Sequence, residues 1–128
     1  MLTELQLEIM RVLWDRGEAT VPEVQGALTE PRAHSTVATL LSRLEDRRLV
    51  QHRTDRRQYV YRAAATEAEV REIAISELSE AAVPLYDGDL TAMVSHLLAV
   101  SAVSRSDLAR LRELIHDLEA RERGDADG

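Results

Sequence analysis

No cysteine occurs anywhere in the 128 residues. Its absence removes disulfides, thiolate metal sites and cysteine nucleophiles together. No apolar run approaches the roughly 20 residues of a membrane span, so no membrane insertion is expected. The opening Met-Leu-Thr-Glu-Leu-Gln has neither a basic start nor a cleavable apolar core, which argues against secretion. A cytoplasmic location is the resulting expectation. Lysine is missing as well: all sixteen basic residues are arginine. There is no glycine-rich phosphate loop, no Ser/His/Asp set in a recognisable context and no cofactor motif, so no cofactor is expected. The four histidines, at positions 34, 52, 96 and 116, lack ligand spacing, and no metal site is expected. Glu67, Glu69, Glu72, Glu77 and Glu80 suit helix caps and solvated faces, with no apolar pocket in view to tune them for acid–base work. An enzyme is not expected.

The chain that remains is 45% apolar and free of low-complexity runs. It can hold one ordinary domain, or a small domain with an appendage. Its net charge of −7 is unevenly spread. Residues 1–63 carry ten arginines against nine acids, while residues 64–128 carry six against fourteen. Within 32–62 there are eight arginines and three acids, a local +5. Affinity for phosphate depends on that local patch, and the acidic half keeps the protein in solution.

The patch coincides with the most informative stretch, Ser35–Arg62. Val37, Leu40, Leu41 and Leu44 fall at i, i+3, i+4 and i+7, the apolar face of a short helix. Ser35, Thr36, Thr39, Ser42 and Arg43 share the opposite face. Short hydroxyl side chains let a helix lie deep in a groove, and Thr and Arg donate to base edges and phosphates. Two alternating segments follow, Leu49–Arg53 and Gln58–Arg62, around a hairpin tip at Thr54-Asp55-Arg56-Arg57. Phosphate contact is the expected role of Arg53, Arg56, Arg57 and Arg62, with a charged edge guard as the alternative. Tyr59 and Tyr61 are expected to pack on the core, and His34 or His52 to touch phosphate. A helix with a polar face followed by a basic hairpin has the layout of a winged helix-turn-helix.

Before it, Thr3 with Gln6 forms a capping box for a helix reaching Arg16, stopped by Gly17. Its apolar residues occupy two faces, Leu5, Ile9, Val12 and Leu13 on one and Leu7, Met10 and Trp14 on the other, as in a central helix. Ala19–Val21 offers a short strand. Thr20 with Glu23 opens a second helix to about Leu28 or Thr29, and Pro31 breaks the chain ahead of the reading helix. Beyond the hairpin, Thr66 with Glu69 opens a fourth helix ended by Pro84, and a fifth runs from Leu90 through Met93, Val94, Leu97 and Leu98. Ser104 with Asp107 opens a sixth, on which Leu108, Leu111, Ile115 and Leu118 repeat in heptad spacing. The tail from Arg123 is expected to fray. The fold class expected is mainly α: an N-terminal winged helix-turn-helix of three helices and a hairpin wing over 1–64, then a three-helix dimerisation domain over 65–128. About sixty residues of narrow apolar stripes rarely stand alone, and pairing with a second copy is the simplest remedy. Leu90, Met93, Leu97, Leu108, Leu111, Ile115 and Leu118 are the candidate dimer contacts.

In order and spacing, the chain resembles the penicillinase-repressor group, the BlaI/MecI/CopY transcriptional regulators. The likeness rests on Leu2-Thr3, Glu8-Ile9-Met10 through Leu13-Trp14, Thr20–Val24, Ser35–Leu44 and the wing Arg57–Tyr61, with a weaker part at Leu97-Leu98 and Asp107–Leu114. It implies a homodimeric repressor that binds a palindromic double-stranded DNA operator. It also implies relief by proteolysis of the C-terminal domain through a membrane-bound sensor protease. Ser35, Thr36, Thr39, Ser42, Arg43, Arg47, Arg56 and Arg57 are the candidate DNA contacts. Where the family has Lys-Gly after the reading helix, this chain has Arg47-Arg48. The helix must then end without its easiest left-handed residue, which leaves the turn there open to differ. Copper-responsive members use C-terminal cysteines, and none is present. The alternative from another class is a winged-helix protein–protein adaptor that does not read DNA, for which a neutral face and wing would be expected.

Overall fold

The computed structural model describes residues 1–127, with side chains as far as Gly124. Thr3 opens α1 (Glu4–Arg16). Its hydroxyl accepts the Gln6 N–H at 3.1 Å, and the Gln6 side chain accepts the Thr3 N–H at 3.0 Å. The exchange satisfies two groups that a helix start leaves open. Gly17, at φ +87°, ends the helix and donates its N–H to Leu13. Thr20 and Glu23 repeat the box at α2 (Val21–Ala27), with Pro22 in the first turn. Glu8 of α1 accepts the Thr29 N–H at 2.6 Å and fixes the segment after α2. The third helix, α3 (His34–Asp46), starts without a side-chain cap at Ala33.

These three helices share one core. Ile9, Met10 and Leu13 of α1, Val24 of α2, and Val37, Leu41 and Leu44 of α3 are essentially inaccessible to solvent. Each such side chain contributes about 1.5–3 kcal/mol of burial free energy. Leu40, at the edge of the α3 stripe, is half-buried and packs against the same core. The α1 face is narrower than its sequence suggested: Leu5, Leu7, Val12 and Trp14 remain half-buried around the Ile9–Met10–Leu13 centre.

A three-stranded antiparallel sheet completes the unit. Strands β1 (Glu18–Thr20), β2 (Val50–Asp55) and β3 (Gln58–Ala63) lie in the order β1-β3-β2. The register pairs His52 with Tyr61 and Asp55 with Gln58, so the hairpin closes through Arg56 and Arg57 alone. The four-residue tip expected from the sequence is thus a two-residue turn. Both arginines make that possible by taking left-handed conformations, φ +49° and +68°, as a type I′ hairpin turn requires. Arg48 does the same at φ +64° after α3. The turn there keeps a left-handed residue although no glycine supplies it.

Alternation along the hairpin sorts its side chains. Val50, His52, Thr54, Tyr59, Tyr61 and Ala63 share one face; Gln51, Arg53, Gln58, Val60 and Arg62 share the other. Tyr61 packs into the core as expected, but Tyr59, nearer the tip, is 52% exposed and lies on His52 instead. Past the hairpin, Trp14 Nε1 donates to the Ala65 carbonyl at 2.9 Å, tying α1 to the segment that leads into α4 (Glu67–Ala82). Val70 of α4 joins the core.

That contact moves the compact division of the chain. The two compact units are Met1–Glu80 and Ala81–Gly128, later than the functional boundary placed after residue 64, because the start of α4 packs with the helices before it. In the second unit, Val83–Tyr86 form a 3₁₀ turn, and left-handed Asp87 and Gly88 reverse the chain. Asp89 caps α5 (Leu90–Val100), accepting the Ala92 N–H at 3.0 Å. Ser104 and Asp107 box the start of α6 (Arg105–Asp127). The helical backbone continues past Arg123, where fraying was expected; Gly128, the last residue of that tail, lies outside the described residues. No residue from 81 to 124 is buried.

Candidate nucleic-acid interface

Burying Val37, Leu41 and Leu44 leaves α3 only one way to face. Ser35, Thr36, Thr39, Ser42 and Arg43 are all exposed, and at 3.6 residues per turn they fill an arc of about 120°. Asp46 falls on the same arc, three residues beyond Arg43 and four beyond Ser42. It was not among the sequence candidates, because an acid on a DNA-facing helix goes against the phosphate signal. A carboxylate there accepts only from base amino groups such as that of cytosine.

The wing separates into two sets of arginines. Arg53 lies on the face away from Tyr61 and reaches across the sheet to Glu18, with Nη2 at 2.9 Å and Nε at 3.3 Å. That guanidinium holds the Glu18 carboxyl below the usual carboxylate range. Arg62 stands opposite Glu18 in one neighbouring strand and Gln51 in the other. The four-arginine phosphate set expected from sequence therefore divides, and only Arg56 and Arg57 occupy the tip. Together with Arg43 they form no ion pair among the described residues, whereas Arg16, Arg32, Arg47, Arg53 and Arg71 each have an acidic partner.

Arg47 belongs to the second group. It follows the last turn of α3, and its guanidinium sits 3.1 Å from Glu77 of α4. The structure therefore brings Ser35, Thr36, Thr39, Ser42 and Arg43 onto one surface, Arg56 and Arg57 onto one turn, and ties Arg47 elsewhere. Between α3 and the wing, His52 Nδ1 lies 2.7 Å from both oxygens of Glu45, which also accepts the His52 N–H at 3.2 Å. Its ring rests on Tyr59, with centroids 4.2 Å apart. The Glu45–His52 link was invisible in the sequence, since it joins a helix to a strand across a turn. It fixes the ring and gives the Glu45 carboxylate a partner between helix and wing.

A helix-turn-helix on a closed core, an exposed hydroxyl-rich third helix and a basic two-stranded wing define a winged-helix, DNA-binding transcription regulator. The model of the family described as Penicillinase repressor matches residues 2–117, and the chain belongs to that family. It is a DNA-binding transcriptional repressor, in a family of regulators rather than enzymes. Among solved structures, it is similar to the DNA-binding domain of the repressor BlaI in solution, with 27% identity over 54% of this chain and 87% of that one, TM-score 0.49. It is also similar to the antimony-specific repressor AntR, with 22% identity over 62% and 70% of the two chains, TM-score 0.46. The reduced form of MarR from E. coli gives 18% identity over 91% and 77%, TM-score 0.47. No curated protein sequence matches the chain. Among the described residues, no helix is long and apolar enough to cross a membrane, and no cluster of His, Asp and Glu suited to a metal ion occurs.

Proposed function

We propose that this repressor acts as a homodimer on a palindromic operator, with α3 of each copy reading the major groove and each wing tip meeting flanking phosphates. The observation that carries the reading is the pattern of pairing. Glu23, Glu77 and Glu18 hold Arg16, Arg47 and Arg53, while Arg43 on the exposed helix face and Arg56 and Arg57 at the wing tip form no ion pair among the described residues. Cations without protein partners are those free to displace counterions from DNA. Ser35, Thr36, Thr39 and Ser42 supply short hydrogen-bonding groups beside Arg43 for base edges. Arg47 contacts phosphate only by leaving Glu77, and so contributes least of the eight candidates.

The dimer reading rests on the C-terminal helices. Leu90, Leu97, Leu108, Ile115 and Leu118 stand exposed, and Met93 and Leu111 are half-buried, in a unit with no buried residue among those described. A second copy removes such surface from water and sets the two reading heads at a fixed spacing. Residues 1–64 then serve as the DNA-binding part and 65–128 as the dimerisation part. Cleavage within that second part, by a membrane-bound sensor protease, relieves repression by separating the heads. Footprinting on the promoter upstream of the chain's own gene is expected to show two symmetric half-sites with centres about 34–36 Å apart. Sedimentation at micromolar concentration is expected to give a dimer, and Leu111→Asp with Ile115→Asp a monomer that binds half-sites poorly. A wild-type monomer, or a single unsymmetric footprint, would overturn the homodimer.

A further inference from the structure

We infer that the cavity between α1 and α4 is a binding site for a small apolar carboxylate. It holds about 240 Å³ within the first compact unit, and no residue of the exposed arc of α3 lines it. Its walls are Leu7, Trp14, Leu49, Val70, Ile73 and Ala74. The charged groups at its edge are three arginines and the Met1 ammonium against two glutamates, most of them joined in ion pairs. Glu77 holds Arg47 at 3.1 Å and the Met1 ammonium at 2.9 Å, and Glu67 holds Arg71 at 2.9 Å. Arg11 also lines the cavity and makes no ion pair or side-chain hydrogen bond among the described residues.

Those facts select the chemistry of the occupant. The wall is mostly apolar, and apart from Arg11 its charged groups are engaged with one another, so a sugar or a bare phosphate would lose most of its water for few new partners. A cation would meet Arg11 unshielded. An apolar body with one carboxylate satisfies both, since its body displaces water from the walls and its head gives Arg11 a charge-assisted partner. The volume falls below the roughly 300–1,000 Å³ of drug-sized clefts, which limits the body to a single ring or a short chain. A helix of a second copy, about 10 Å across, does not enter a space of this size. The site is independent of how the repressor reads DNA.

Trp14 is the one tryptophan of the chain and forms part of the wall, so its emission reports occupancy directly. The full-length protein should be titrated with cyclohexanecarboxylate and, separately, with its uncharged counterpart cyclohexylmethanol. The acid is expected to shift Trp14 emission saturably and to bind about tenfold more tightly than the alcohol. Arg11→Gln, on an exposed position, is expected to lose that tenfold advantage for the acid while leaving the alcohol unchanged. Equal binding of acid and alcohol would overturn the proposal, as would an Arg11→Gln protein that still prefers the acid. So would an emission that ignores the acid through the millimolar range, or one that follows only protein concentration, which would mean that self-association and not the ligand is what Trp14 reports.

Discussion

Replacing Arg56-Arg57 by Asn-Gly separates folding from function at the wing tip. Both arginines hold left-handed backbone, φ +49° and +68°, to close a two-residue turn between Asp55 and Gln58. For a residue with a Cβ that conformation costs roughly 1–2 kcal/mol, and Asn-Gly is the pair that fits a type I′ turn with least strain. Glycine returns part of the gain, about 0.4–1 kcal/mol, through the freedom it adds to the unfolded chain. The strain relief is larger, and the double variant is expected to be more stable by about 1–2 kcal/mol. With a urea dependence of about 1–3 kcal/mol per molar, the unfolding midpoint should rise by on the order of 0.5–1 M at fixed protein concentration. DNA affinity should move the other way. Two lost phosphate contacts lower the slope of log affinity against log salt by roughly 0.9 each, on operator and random DNA alike. A variant no more stable than wild type would refute the strain; an unchanged salt slope would refute the phosphate contact.

Three shorter tests bear on separate parts of the account. Arg48→Gly relieves the left-handed turn after α3 and should stabilise the protein by about 1 kcal/mol while leaving the salt slope of DNA binding unchanged. Tyr61 is buried, and burial raises its hydroxyl above the ordinary value of 10. A folded-state pKa that is raised gives stability complete below pH 10 and lost as pH climbs through the folded value. Wild type is therefore expected to lose urea midpoint above pH 10, and Tyr61→Phe to flatten that decline. The Leu111→Asp, Ile115→Asp protein should keep the salt slope of a single head while losing the avidity of two, seen as weaker binding to a full site than to wild type's.

Local signals carried most of the fold. The boxes at Thr3–Gln6, Thr20–Glu23 and Ser104–Asp107 each use residues three apart, so their spacing is written in the chain itself. The Val37–Leu41–Leu44 stripe likewise defines which face of α3 is left for solvent. What could not be seen depends on partners brought together by the sheet. Arg53 looks equivalent to Arg56 until β1 sets Glu18 beside it, thirty-five residues away in sequence. The two-residue tip is not legible from the chain, because arginine is a poor guide to left-handed backbone, where glycine and asparagine are the usual signals. The Trp14–Ala65 hydrogen bond and Val70 packing, which draw the start of α4 into the first unit, arise from the same long-range closure. The Arg11 cavity follows from that closure too.

The central claim is that α3 reads bases while the wing tip grips the backbone. Affinities of Arg43→Ala for operator and for random duplex, each over a range of salt concentrations, test it most directly. The account predicts a loss of about 1–3 kcal/mol on the operator, relaxed preference at particular base pairs, and much less change on random DNA. Equal losses on both DNAs would contradict it, because the helix would then be holding phosphate without reading sequence.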